Sequence, residues 1–204
     1  MISKTVVNKV PKKDKKQALL DSALALFVDQ GFHATSTASI AKKAGVATGT
    51  LFHHFASKDA LLNHLFMAVK LEFAEDISQG ILTRGQTGKD LKSDAEHLWQ
   101  HAIDWALQNP IKQRFFLQYS MSSEVDATIR EQAMNSVLHF VVVLIEKGQQ
   151  QGIIADFPIP LMLANCHGQY LAAIRYFTDH PQWGDDVSQR QASFELFWRS
   201  MKVD

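Results

Sequence analysis

The sequence predicts an all-α protein of about nine helices, a small N-terminal helical domain followed by a larger C-terminal bundle. Three observations carry that expectation. Apolar residues recur at three- and four-residue spacing in nearly every segment, the period of a helix that buries one face. No stretch alternates apolar and polar residues as a half-buried strand would. Helix breakers punctuate the pattern: Gly31, Gly45, Asn109-Pro110, Gly152 with Pro158 and Pro160, and Pro181 through Gly184.

In order, residues 17–30 place Leu20, Leu24, Phe27 and Val28 on one stripe, and Gly31 supplies a C-terminal stop. Ser36 or Thr37 can cap a short second helix over 37–44, with Ile40 and Ala41 facing inward, and Gly45 breaks it. A third short helix covers 48–55. Ser57 then caps a long helix over 58–79, whose apolar face is Leu61, Leu62, Leu65, Phe66, Val69 and Phe73. Residues 80–90, with Gly80, Gly85 and Gly88, read as a loop. Helical patterns follow at 90–108, 111–121, 125–150, 159–179 and 187–202. Residues 1–57, including a basic tail over 1–16, are expected to form one domain and 58–204 the other.

The 204 residues are ample for a buried core. Lysine plus arginine and aspartate plus glutamate both number 21, so the formal net charge is zero. That balance excludes a chain coated in positive charge and an acidic disordered one. The single cysteine, Cys166, excludes an internal disulfide framework and any multi-cysteine metal or iron–sulfur site, and reads as a small buried hydrophobe. The longest apolar run, Phe140 to Ile145, is far short of the ~20 residues that cross a bilayer. No secretory signal is evident in the lysine-rich N-terminus. A soluble, cytoplasmic protein without a membrane partner, cofactor or metal is expected.

Charge is unevenly spread. Residues 1–60 hold nine lysines against four acids, a surplus of +5, and the remainder carries −5. A basic head on an acidic body suits a chain whose one end meets a polyanion, although lysine-rich termini also serve as solubilising tails.

The most informative stretch runs from Gly31 to Lys58. Two short helices joined by Ala44-Gly45-Val46 form a helix-turn-helix arrangement, whose second helix can enter a DNA major groove. Ala41 is small where the helices approach, Gly45 suits the positive φ of a tight turn, and Val46 and Leu51 fill the space behind. Thr48, Gly49, Thr50, His53 and His54 are left on the outer side of the third helix. Helix N-termini favour phosphate oxygens, and Lys42, Lys43, Lys58 and the basic tail can add phosphate contacts. With Ser36 and Thr37 at the start of the second helix, these are the candidate DNA-binding residues. An ordinary helical hairpin is the competing reading.

These residues resemble the DNA-binding domain of the TetR (tetracycline-repressor-like) family of bacterial transcription regulators. The similarity runs through Ala25-Leu26-Phe27, Gly31-Phe32, Thr35-Ser36-Thr37, Ile40-Ala41, Ala44-Gly45-Val46, Gly49-Thr50-Leu51-Phe52, His54-Phe55 and Ser57-Lys58 to Leu61. The resemblance implies an all-helical homodimer that binds a palindromic double-stranded operator with its first three helices. Its C-terminal helices would form a small-molecule effector pocket and the dimer interface. It further implies base contacts at Thr48 and Gly49, and backbone contacts at Thr37, Thr50, His54 and Lys58. Phe52 departs from the family's usual tyrosine and lacks the hydroxyl that would donate to a phosphate. Ala38 and Ala47 are also blander than in many relatives, so modest base readout is expected, with a larger share from phosphate contacts and DNA shape.

Beyond residue 62 only architecture guides the reading. Ala164, Gly168 and Ala172 form a small-residue row, and Phe194, Phe197, Trp198 and Met201 an apolar stripe. Together they are the candidate dimer interface, two helices from each chain making a four-helix contact; packing inside one subunit is the alternative. An effector for an apolar or aromatic pocket is expected among His97, Trp99, His101, Trp105, Phe116, Tyr119, Met134, His139, His167 and Tyr170, many of which must simply be core. His97 and His101 are spaced for a metal, but no acid or cysteine completes a set.

No G-x-S-x-G, G-x-G-x-x-G, Walker A or H-E-x-x-H motif is present. Ser39-x-x-Lys42 matches a serine acyl-enzyme string without its partner motifs. The expectation is therefore not an enzyme but a ligand-released dimeric repressor, with a ligand-independent DNA-binding factor or an activator of the same fold as the alternative.

Overall fold

The computed structural model describes residues 14–84, 90–134 and 138–203, with side chains of 80–84 left aside. The basic tail therefore lies largely outside the described residues. The chain divides into two compact units, Met1–Leu61 and Leu62–Asp204. Ten α-helices and one 3-10 turn occur among the described residues, with no strand beyond a single bridge between Ile154 and Lys202.

The first unit holds α1 (Lys15–Ala34), α2 (Thr37–Lys43), α3 (Thr48–His54) and the opening turn of α4 (Lys58–Arg84). Asp14 caps α1 by accepting from the Lys16 N–H at 3.1 Å. Gly31 leaves the helical region at φ 82°, so regular helix ends there and a short turn continues to Ala34. Ser36 caps α2 in a reciprocal box with Ser39. Gly45, at φ 69°, turns the chain between α2 and α3. Leu19, Phe27, Ile40 and Leu51 are fully buried and draw the three helices together. Thr35 is buried with them, its Oγ1 donating to the Gly31 carbonyl at 2.7 Å.

The second unit holds the rest of α4 with α5 (Leu91–Gln108), α6 (Pro110–Tyr119), α7 (Ala127–Gln132), α8 (His139–Gln150), α9 (Ile159–Asp179) and α10 (Val187–Met201). Helix α5 packs against α6, α8, α9 and α10 and is the centre of the bundle. Asp90, Asp126 and Asp186 cap α5, α7 and α10, while Pro110 opens α6. Phe66, Phe115, Phe116, Phe177 and Phe194 form the core.

Two expectations are corrected. Residues 80–84, expected in a loop, continue α4 through Gly80, because one glycine weakens a helix without ending it. Residues 85–89 lie outside the described residues. The single helix expected over 125–150 is two, α7 and α8, and Leu138 before α8 leaves helical geometry at ψ 23°. Neither proline nor glycine marks that break.

Candidate functional site

On α3, Thr48, Gly49 and His53 are exposed, while Thr50 and His54 are half-buried. Only Leu51 of this helix is buried, packed toward α1 and α2. The helix thus presents short polar groups outward from a single apolar anchor. Ser36, Lys42 and Lys43 are exposed beside it and Thr37 is half-buried. Phe52 is 51% exposed, an aromatic ring on the same helix. The Ser36 hydroxyl is engaged in capping, accepting from the Ser39 N–H at 3.0 Å.

Lys58, expected to contact a phosphate, has its ammonium engaged within the first unit. Its Nζ donates to the carbonyls of Phe32 at 2.8 Å and Thr35 at 2.9 Å, and sits 4.2 Å from the Phe32 ring centroid. The ammonium caps the end of α1 from the next long helix, adding a second donor to the Phe32 carbonyl, which already accepts from the Thr35 N–H at 3.2 Å, and a donor to the Thr35 carbonyl.

The second unit holds a partly open cavity of about 110 Å³. That is several times the ~10–15 Å³ one water requires. Helices α4, α5, α6, α8, α9 and α10 all contribute to its walls. Of the ten candidate effector residues, Trp99, Phe116, His167 and Tyr170 line it. Trp105 and Tyr119 are buried beside it as core. His97 and His139 face solvent, Met134 is half-buried, and His101 pairs with Asp76 at 3.1 Å. No group of three metal-ligating side chains occurs among the described residues.

The residues missed by sequence reasoning include Lys70, Phe73 and Ile77 of α4. Lys70 is 3% exposed, with its Nζ 3.2 Å from His167 Nε2 and 4.7 Å from the Phe116 ring centroid. Burial lowers its pKa to about 8. Burial, and then the Lys70 charge, push His167 down to about 3, so at neutral pH its Nε2 accepts from the ammonium. A signal was available: Lys70 falls four residues after Phe66 and three before Phe73, on the apolar stripe. Tyr170 Oη is within reach of the Ala102 carbonyl at 3.3 Å and Gln113 Oε1 at 3.2 Å. Cys166 is buried, and desolvation raises its thiol to about 12.

The expected interface residues separate into two sets. Ala164, Gly168 and Ala172 lie exposed on α9. Phe194, Trp198 and Met201 are buried within the chain itself, and Phe197 lines the cavity, stacked on Trp99 at 4.5 Å. Their stripe packs inward because α5 and α9 already cover it. Large apolar side chains left exposed on these two helices include Leu161 of α9, 64% exposed, and Leu196 of α10, 73% exposed. No helix among the described residues is long and apolar enough to cross a membrane.

Comparison with known proteins agrees with the helical fold. Residues 19–65 match the family described as bacterial regulatory proteins, tetR family. The chain is 55% identical to a tetR family transcription regulator from Shewanella sp. PV-4, whose crystal structure superposes with a TM-score of 0.90 over 94% of this chain and 100% of that one. It is 28% identical over 186 residues to the HTH-type transcriptional regulator YttP of Bacillus subtilis (strain 168), spanning 84% of this chain and 86% of that protein. The fold is shared at a TM-score of 0.70 with FadR from Bacillus subtilis, at 20% identity over 89% of this chain and 96% of FadR.

Proposed function

This chain belongs to the TetR family of bacterial regulatory proteins, and from that premise we propose that it is a dimeric repressor released from a palindromic operator by a small apolar or aromatic molecule. Family members are DNA-binding transcription regulators rather than enzymes, and the reading places this one in the cytoplasm with the DNA it controls. Residues 1–57 serve as the DNA-binding domain and 58–204 as the effector and dimerisation domain.

One observation carries the proposal: α4 is common to both functions. Its first residue, Lys58, is tied to the end of α1, and its later residues Lys70, Phe73 and Ile77 line the cavity. A ligand that displaces the wall formed by α4 therefore acts on the helix that holds the helix-turn-helix. Differential affinity for the two α4 positions is what would shift the population away from the DNA-bound form. FadR of Bacillus subtilis, of the same fold, was solved in complex with stearoyl-CoA, which supports a ligand-holding role for the bundle.

On DNA, Thr48 and Gly49 face base edges, while Thr37, Lys42, Lys43, Thr50, His53 and His54 lie toward phosphates. Dimerisation uses the exposed row Ala164, Gly168 and Ala172 with Leu161 and Leu196, one α9–α10 pair from each chain. Selection of bound sequences from a random DNA library tests the reading. Recovery of a two-fold symmetric site is expected, with half-sites at least about one helical turn apart. A single asymmetric half-site, or no enrichment at low salt, would refute it.

A further inference from the structure

We propose that the effector is an apolar acid, resting on the ligand-release reading above: its carboxylate pairs with Lys70 Nζ beside His167, and its acyl or aryl body lies among Phe73, Trp99 and Phe197. The argument begins with an unbalanced charge. Lys70 is 3% exposed, and among the described residues the contacts of its Nζ are His167 Nε2 at 3.2 Å and the face of Phe116 at 4.7 Å. Neither contact is an anion. A buried ammonium costs several kcal/mol unless an opposite charge meets it, and the remaining walls are almost wholly apolar. A structural lysine would be covered by a carboxylate; this one lines a cavity.

The donor inventory then selects the chemistry. An ammonium has three N–H groups, and one is directed at His167 Nε2, which leaves two for a ligand. A carboxylate accepts both and neutralises a single positive charge. A phosphate monoester would bring a second negative charge that no other cation on the cavity wall meets among the described residues, since His167 is held neutral by burial and by Lys70 itself. A neutral molecule would leave the ammonium as it stands. The phenol of Tyr170 is already directed to Gln113 or Ala102, so it adds no competing anchor. The cavity, about 110 Å³ and partly open, leaves room for a small acid beside Lys70.

The test compares each of two acids, octanoate and 4-phenylbutyrate, with its primary amide. Both pairs are titrated calorimetrically at pH 7 into the full-length protein and into a Lys70→Met variant. Replacing a buried charge by an apolar residue of similar shape is commonly tolerated, and circular dichroism checks the fold of the variant. At least one acid is expected to bind the parent protein about tenfold or more tightly than its amide, as a charge-assisted hydrogen bond implies. That preference should vanish in Lys70→Met. Equal binding of acid and amide by the parent protein overturns the anionic assignment while leaving an apolar pocket in place. An acid preference that survives in the variant assigns the countercharge elsewhere and also overturns it. Failure of all four compounds to bind the parent protein at millimolar concentration overturns the assignment and the pocket reading together.

Discussion

Lys58 lies over the ring of Phe32, Nζ 4.2 Å from its centroid, and donates to the Phe32 carbonyl at 2.8 Å. The same ammonium reaches the Thr35 carbonyl at 2.9 Å. Gly31 is the reason these acceptors exist. Its positive φ ends the regular ladder of α1, so the Phe32 carbonyl keeps one backbone donor, the Thr35 N–H at 3.2 Å, and the first residue of α4 returns to donate to it and to the Thr35 carbonyl. Lys58 is thereby a positioning residue for the join between α1 and α2.

Lys58→Met should consequently act on stability more than on electrostatics. Two carbonyls lose a charged donor, at a cost of about 1–2 kcal/mol, readable as a lower melting temperature of the full-length protein. The slope of log affinity for DNA against log salt should stay unchanged. A slope reduced by about 0.9 would return Lys58 to the phosphate-contacting set. Exposed Lys42 and Lys43 make the comparison, since changing both to alanine should lower that slope by about two phosphate units with little effect on melting.

Phe52 offers a gain-of-binding prediction. Its ring is 51% exposed on α3, so a hydroxyl added at its tip would meet solvent or DNA rather than core. Phe52→Tyr should strengthen operator binding by about 1 kcal/mol, roughly fivefold in Kd, through a hydrogen bond to a phosphate. Fluorescence anisotropy on the selected operator measures it, and unchanged affinity would place the ring away from the backbone.

What was legible in the sequence was local. Gly31, Gly45 and the Ser36 cap act through backbone conformation within a few residues, so their spacing alone located α1, α2 and α3 and the outward face of α3. The cavity depends on which stripes meet, and that is not local. Phe194, Phe197, Trp198 and Met201 do form one stripe, but period does not say whether a partner chain or α5 and α9 will cover it. Lys70 was passed over because a lysine on an apolar stripe reads as a snorkelling edge residue until its burial is seen. The break between α7 and α8 carries no glycine or proline and so left no mark.

That division of the α10 stripe yields opposite outcomes for neighbouring residues. Leu196→Asp, at a position 73% exposed, should leave melting of the monomer nearly unchanged and weaken dimerisation by about 2 kcal/mol or more in sedimentation equilibrium. Trp198→Ala, at a position 6% exposed, should instead destabilise the fold by about 3–5 kcal/mol. If Leu196→Asp sediments as the parent does, the exposed α9–α10 face is not the contact.

The pairing of Lys70 with His167 also sets a pH dependence. The His167 imidazole titrates at about 3 in the fold against its ordinary 6.5, lowered by burial first and by Lys70 second. Between those values the unfolded chain binds more protons than the folded one, so stability present above pH 6.5 is lost as the pH falls toward 3. Lys70, held at about 8 against 10.5, shifts in the same direction, and its contribution grows as pH rises from about 8 toward 10.5. Urea unfolding at pH 7 and pH 4.5 isolates the histidine, because Lys70 stays protonated at both. The parent protein should lose stability over that interval at up to about 1.4 kcal/mol per pH unit from this group, in addition to what its carboxylates contribute. In His167→Gln, which keeps a polar acceptor near Lys70 without a titrating ring, the carboxylate contribution should remain and the loss should shrink by about 2 kcal/mol. Equal acid sensitivity of the two proteins would mean that His167 becomes protonated inside the fold without penalty, and would contradict its burial against a cation.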